Sequence, residues 1–102
     1  MYGLIGRMIA HPGKRAELAA ILTPTEGSGM PGCLSYIVAE DPTNADALWI
    51  TEVWIDQAAH RASLQLPAVQ AAIAKGRPLI AGFDSQAETS VLGGIGLPAT
   101  TR

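Results

Sequence analysis

The chain has 102 residues, enough for one compact domain, and is 48% hydrophobic but only 16% charged. That balance excludes intrinsic disorder, which needs the reverse. The net charge is −2, and the seven Lys and Arg are scattered without forming a basic stripe, which argues against a nucleic-acid partner.

A small domain so poor in charge carries more apolar surface than one small core hides, which points to self-association. Cys33 is the single cysteine and cannot form an intramolecular disulfide. Met1 to Arg7 lacks the basic, apolar and cleavage regions of a signal peptide, and no apolar run reaches the roughly 18 residues of a membrane span. The expectation is a soluble cytoplasmic protein with no membrane partner.

Tyr2 to Ala10 is mostly apolar and bounded by Pro12-Gly13, which suits a strand. Lys14 to Thr23 reads as a helix with Leu18, Ile21 and Leu22 on one face, stopped by Pro24. A Gly- and Pro-rich loop, Thr25 to Gly32, precedes a strand from Cys33 to Glu40. There Leu34, Tyr36 and Val38 alternate with Cys33, Ser35, Ile37 and Ala39. Turn formers fill Asp41 to Asp46, and a second strand runs from Ala47 to Ile55, completing a hairpin. That strand is bulky on both faces, with Trp49 and Val53 opposed to Leu48, Ile50 and Trp54.

Asp56 is placed to cap a short helix reaching Ser63 or Leu64, and Pro67 opens another over Ala68 to Lys75, ended by Gly76 and Pro78. Alternation returns from Phe83 to Leu92, with Phe83, Ala87 and Val91 set against Asp84, Gln86, Glu88 and Ser90. The order β-α-β-β-α-β predicts an α+β, ferredoxin-like sandwich over residues 1–92, with 93–102 as a flexible tail. Helices cover one sheet face. The other is also apolar, and its simplest cover is the same face of a second copy, giving a homodimer with the two sheets face to face.

Most motifs are excluded by context. Gly27-Ser28-Gly29-Met30-Pro31-Gly32 spells G-x-G-x-x-G but follows a helix and precedes a strand, the reverse of a dinucleotide loop. His11, His60 and Cys33 are too few and too far apart for a zinc site. His11 reads as a solvent residue and Cys33 as a small buried hydrophobe. Trp54 and His60 admit two readings: a core indole beside a half-exposed helix residue, which these features alone favour, or the polar corner of a small-molecule cleft. Arg77 either snorkels to solvent, the favoured reading, or reaches over that cleft.

The chain resembles the antibiotic biosynthesis monooxygenase family over about Tyr2 to Val91. The carriers are Pro12-Gly13-Lys14, Gly32-Cys33-Leu34-Ser35-Tyr36, Glu52-Val53-Trp54 and the helical stretch from Ala58 to Pro67. The resemblance implies a dimeric α+β barrel and oxygenation of a phenol or hydroquinone by O₂ without metal, flavin or other cofactor. It also implies that Trp54 is a hydrogen-bond donor to substrate oxygen or dioxygen, His60 a general base, and Arg77 an electrostatic candidate. Leu4, Leu34, Tyr36 and Ile50 would wall the cleft.

Ile50 stands where many members have Asn, and Ser63 replaces a common His. Gly6, Ser63 and Ile73 occupy the positions that haem-degrading relatives use, and these three cannot ligate iron. The leading expectation is therefore a cofactor-independent monooxygenase for a small quinol or polyphenol. A non-enzymatic dimeric binding or stress-response module that holds an apolar metabolite is the second. An assembly unit strapped by Gly93 to Leu97 is the third.

Overall fold

The computed structural model describes residues 1–23 and 30–97, so the first half of the glycine-rich G-x-G-x-x-G run and the end of the tail lie outside the described residues. The chain runs β1 (Tyr2–Ala10), α1 (Arg15–Leu22), β2 (Cys33–Glu40), β3 (Ala47–Trp54), α2 (Gln57–Ser63) and α3 (Pro67–Gly76). A 3₁₀ turn (Arg77–Leu79) and β4 (Ile80–Ser90) follow. The four strands form one antiparallel sheet in the order β2-β3-β1-β4, the expected βαββαβ arrangement. No helix among the described residues is long and apolar enough to cross a membrane.

Period-2 alternation assigns the faces. Leu4, Gly6 and Met8 of β1 stand opposite Glu52, Ile50 and Leu48 of β3, and these residues face the helices. Leu18 of α1 seals the centre of that layer and is fully buried among Met8, Ala10, Leu48, Ile50 and Leu79, with Ile21 and Leu22 packed alongside. Gly76 lets α3 approach: a Cβ there would meet Leu18 Cδ1 at 3.3 Å. Asp56 caps α2 as expected, accepting from the Ala59 N–H at 2.8 Å.

The hairpin between β2 and β3 is pinned by Asp41, whose side chain is only 8% exposed. Its Oδ1 accepts from the Thr43 N–H, the Thr43 hydroxyl and the Asn44 N–H at 2.8, 2.9 and 3.0 Å. Arg15 closes the turn from α1 by donating to the carbonyls of Asp41 and Asn44 at 3.3 and 3.0 Å. Helix and hairpin are thereby tied together.

Two irregularities revise the expected faces. In β2 a register shift between Cys33 and Ser35 sets Cys33 opposite Trp54, on the helix side and not with Ser35, Ile37 and Ala39. In β4 a shift between the partners of Arg7 and Met8 sets Phe83 opposite Met8, while Gln86 and Glu88 stand opposite Gly6 and Leu4. Phe83 therefore shares the helix-side face with Gln86 and Glu88 and not with Ala87. This strand also begins at Ile80, earlier than Phe83, because Ile80 still pairs with Ala10.

The turn before β2 depends on one glycine. Gly32 has φ +82°, and a Cβ there would lie 2.7 Å from Ala59 Cβ on α2 and 3.1 Å from Ile55.

Candidate functional site

Between the sheet and the helices lies a cavity of about 960 Å³. Leu4, Met8 and Ile50 form its floor, Ile21 and Leu22 one wall, and Ala68, Val69, Ala72 and Ile73 of α3 another. Along β4 it is rimmed by exposed Phe83, Gln86 and Glu88, so ligands have a way in. Gly6, Ser63 and Ile73 all line it. The Ser63 hydroxyl, however, is turned back and donates to the His60 carbonyl at 2.6 Å.

Polar groups converge at one end. Trp54 is 1% exposed, and its Nε1–H donates to Glu52 Oε1 at 3.0 Å. His60 on α2 stands edge-on to that indole, ring centroids 5.4 Å apart, with its Nε2 4.0 Å from the same Glu52 oxygen. Tyr2 lies 5.8 Å from the imidazole and donates to Glu88 Oε2 at 2.9 Å. Tyr36 pairs directly with Glu52 across the strands, which brings their side chains together. Burial, and then the negative charge of Glu52, push the Tyr36 phenol up to about 12. Burial also raises the Cys33 thiol, so the sulfur beside this corner is held as S–H.

Of the expected site residues, Trp54, His60, Leu4, Tyr36 and Ile50 meet in this cavity. Two do not. Leu34 is the extra residue of the β2 irregularity and does not line the cavity. Arg77 is exposed on the 3₁₀ turn, because Gly76 and Leu79 take the inward positions around it.

The N–H of Trp54, expected as a donor to substrate oxygen or dioxygen, donates to Glu52 in this structure. Glu52 is the residue that reading for motifs passed over. Its signal was present: it is the one charged residue in the inward series Leu48, Ile50, Glu52, Trp54. Glu88 and Tyr2 join the site through the pairing of β1 and β4, which has no local sequence signature.

This is a ferredoxin-like α+β domain with a cavity between sheet and helices, polar at one corner and apolar elsewhere. The chain belongs to the antibiotic biosynthesis monooxygenase family, whose model matches residues 1–75. A proposed antibiotic biosynthesis monooxygenase from Chloroflexus aurantiacus is 59% identical, with TM-score 0.90 over 95% of this chain and 98% of that one. Another from Deinococcus radiodurans is 25% identical, with TM-score 0.76 over 97% and 100%. SnoaB, a cofactor-independent oxygenase from Streptomyces nogalater, shares the fold at 16% identity and TM-score 0.66 over 92% and 95%. Comparison with curated protein sequences gave no match.

Proposed function

We propose that the chain is a cofactor-independent monooxygenase that oxidises a small quinol or polyphenol with O₂. The observation that carries this reading is the pairing of a roomy apolar chamber with one polar corner containing His60, Glu52, Trp54 and Tyr36. An aromatic ring fits the chamber, and its hydroxyl belongs at the corner. Family membership and the activity of SnoaB agree with it.

His60 takes the proton of the ring hydroxyl. The ring anion passes one electron to O₂, and the two radicals join through a new carbon–oxygen bond. The peroxide is protonated, and its O–O bond then breaks. One oxygen stays as a carbonyl, the other leaves as water, and the ring carbon loses its hydrogen as a proton. The protein's part is to hold the ring, receive the first proton and present polar groups to the developing charge. Trp54 serves by fixing Glu52.

The working unit in this reading is a homodimer. The sheet face away from the helices presents Ile5, Ile37, Trp49 and Val53, and a second copy of the same face covers it.

The experiment is oxygen uptake with chelator-treated protein and reduced naphthoquinols and catechols, corrected for autoxidation. Uptake should survive chelation and fall in Trp54→Phe and His60→Ala. Saturable ligand binding with no uptake above background would overturn the oxygenase and leave a binding module.

A further inference from the structure

Glu52 has chemistry that the reading above leaves unused. Its side chain is 17% exposed, at the end of an otherwise apolar chamber. Oε1 accepts from the Trp54 indole, and the His60 Nε2 stands 4.0 Å away, beyond hydrogen-bond length. Among the described residues Oε2 makes no hydrogen bond. With one oxygen fixed by Trp54 and the other making no bond, this mostly buried carboxylate can take a hydrogen-bond donor from whatever fills the chamber in place of water. The chamber it lines is where that donor would come from.

We propose that Glu52 is the residue that anchors the ligand's hydroxyl, accepting its O–H at Oε2 while Trp54 holds the carboxylate in place. Trp54 is thereby a positioning residue that acts through Glu52. The ligand class is an aromatic ring with a free hydroxyl. An ether of the same ring is rejected, because it fills the chamber yet leaves the carboxylate without its donor. The hydrogen so held faces Glu52, and the transfer to His60 described above begins when the hydroxyl turns that hydrogen from the carboxylate to the neighbouring imidazole. The inference rests on the same cavity as the proposed oxygenase, but needs no oxygen and no turnover.

The test is calorimetric titration under nitrogen with 2-naphthol and 2-methoxynaphthalene, which share a ring and differ in the donor. Wild type should bind the naphthol about tenfold or more tightly than its ether, as expected for a charge-assisted hydrogen bond. Glu52→Gln keeps the shape and a neutral acceptor for Trp54, and should cut that preference to about threefold or less. Trp54→Phe, which frees the carboxylate, should reduce it as well.

Equal affinities in wild type would overturn the proposal without recourse to any variant, and so would an undiminished preference in Glu52→Gln. Discrimination with no oxygen uptake in the separate assay would support the anchor while refuting the oxygenase. Uptake without discrimination would do the opposite.

Discussion

The Trp49 indole N–H donates to Asp41 Oδ2 at 2.9 Å, joining the middle of β3 to the turn that begins it. Arg7 Nε of β1 lies 3.2 Å from the same oxygen, and its Nη1 reaches Asp84 of β4 at 2.9 Å. One carboxylate thus gathers the hairpin and the two neighbouring strands on the face away from the helices.

The hydrogen bonds from Thr43, backbone first and hydroxyl second, together with that from Trp49, hold the Asp41 carboxyl well below the usual carboxylate range. A depressed folded value means stability that is complete above the unfolded value of about 3.9 and is lost as pH falls towards the folded one. Asp41→Asn should therefore melt at a lower temperature than wild type at pH 7. The gap should narrow as pH drops below about 4. Thermal melts between pH 3 and 7 check this.

Tyr36 gives the opposite sign. Its phenol keeps its proton up to about 12 in the folded chain, against about 10 when unfolded. Stability is full below about pH 10 and declines as pH rises towards 12, because the unfolded chain releases the proton first. Tyr36→Phe should flatten that alkaline loss. The same variant should weaken binding of a hydroxylated ring about 2- to 10-fold at pH 7, by removing a neutral donor from the chamber.

Leu18 is 0% exposed and touches both strands and the segment after α3. Leu18→Ala should lower unfolding free energy by about 2–5 kcal/mol, through lost burial plus the void left behind. Urea denaturation with an unchanged slope would confirm it.

Ile37 is 54% exposed on the sheet face away from the helices. As a surface position in one subunit, Ile37→Lys should change monomer stability by no more than about 0.5 kcal/mol. In the proposed dimer that position is covered by the partner's sheet, so light scattering should nevertheless show a shift from dimer to monomer when a lysine is placed there. An unchanged mass would remove this face as the interface.

Element order was legible because the second and fourth strands alternate, the first is a short apolar run closed by Pro12-Gly13, and cap or stop residues bound the helices. Pro24 and Gly76 mark helix ends, and Asp56 marks the start of α2. The inward set Leu48, Ile50 and Trp54 was legible too, since alternation is local. The irregularities were not. They moved Cys33 to the helix side and set Phe83 beside Gln86 and Glu88, and a one-residue shift is specified by pairing with β3 and β1 rather than by β2 or β4 alone. That Trp54 spends its donor on Glu52 was not legible either, because a side-chain rotamer has no sequence signature, whereas solvent was already the favoured reading for Arg77.

The bare Cα of Gly32 bears on a cavity corner to which it contributes no side chain. Because nothing projects from it, α2 rests directly on the turn, and the helix that holds His60 settles at one height above the sheet. A methyl group added there would act as a shim, lifting the roof at the corner where imidazole, indole and carboxylate meet. The spacing of His60, Trp54 and Glu52 thus depends on a residue that contributes no functional group at all.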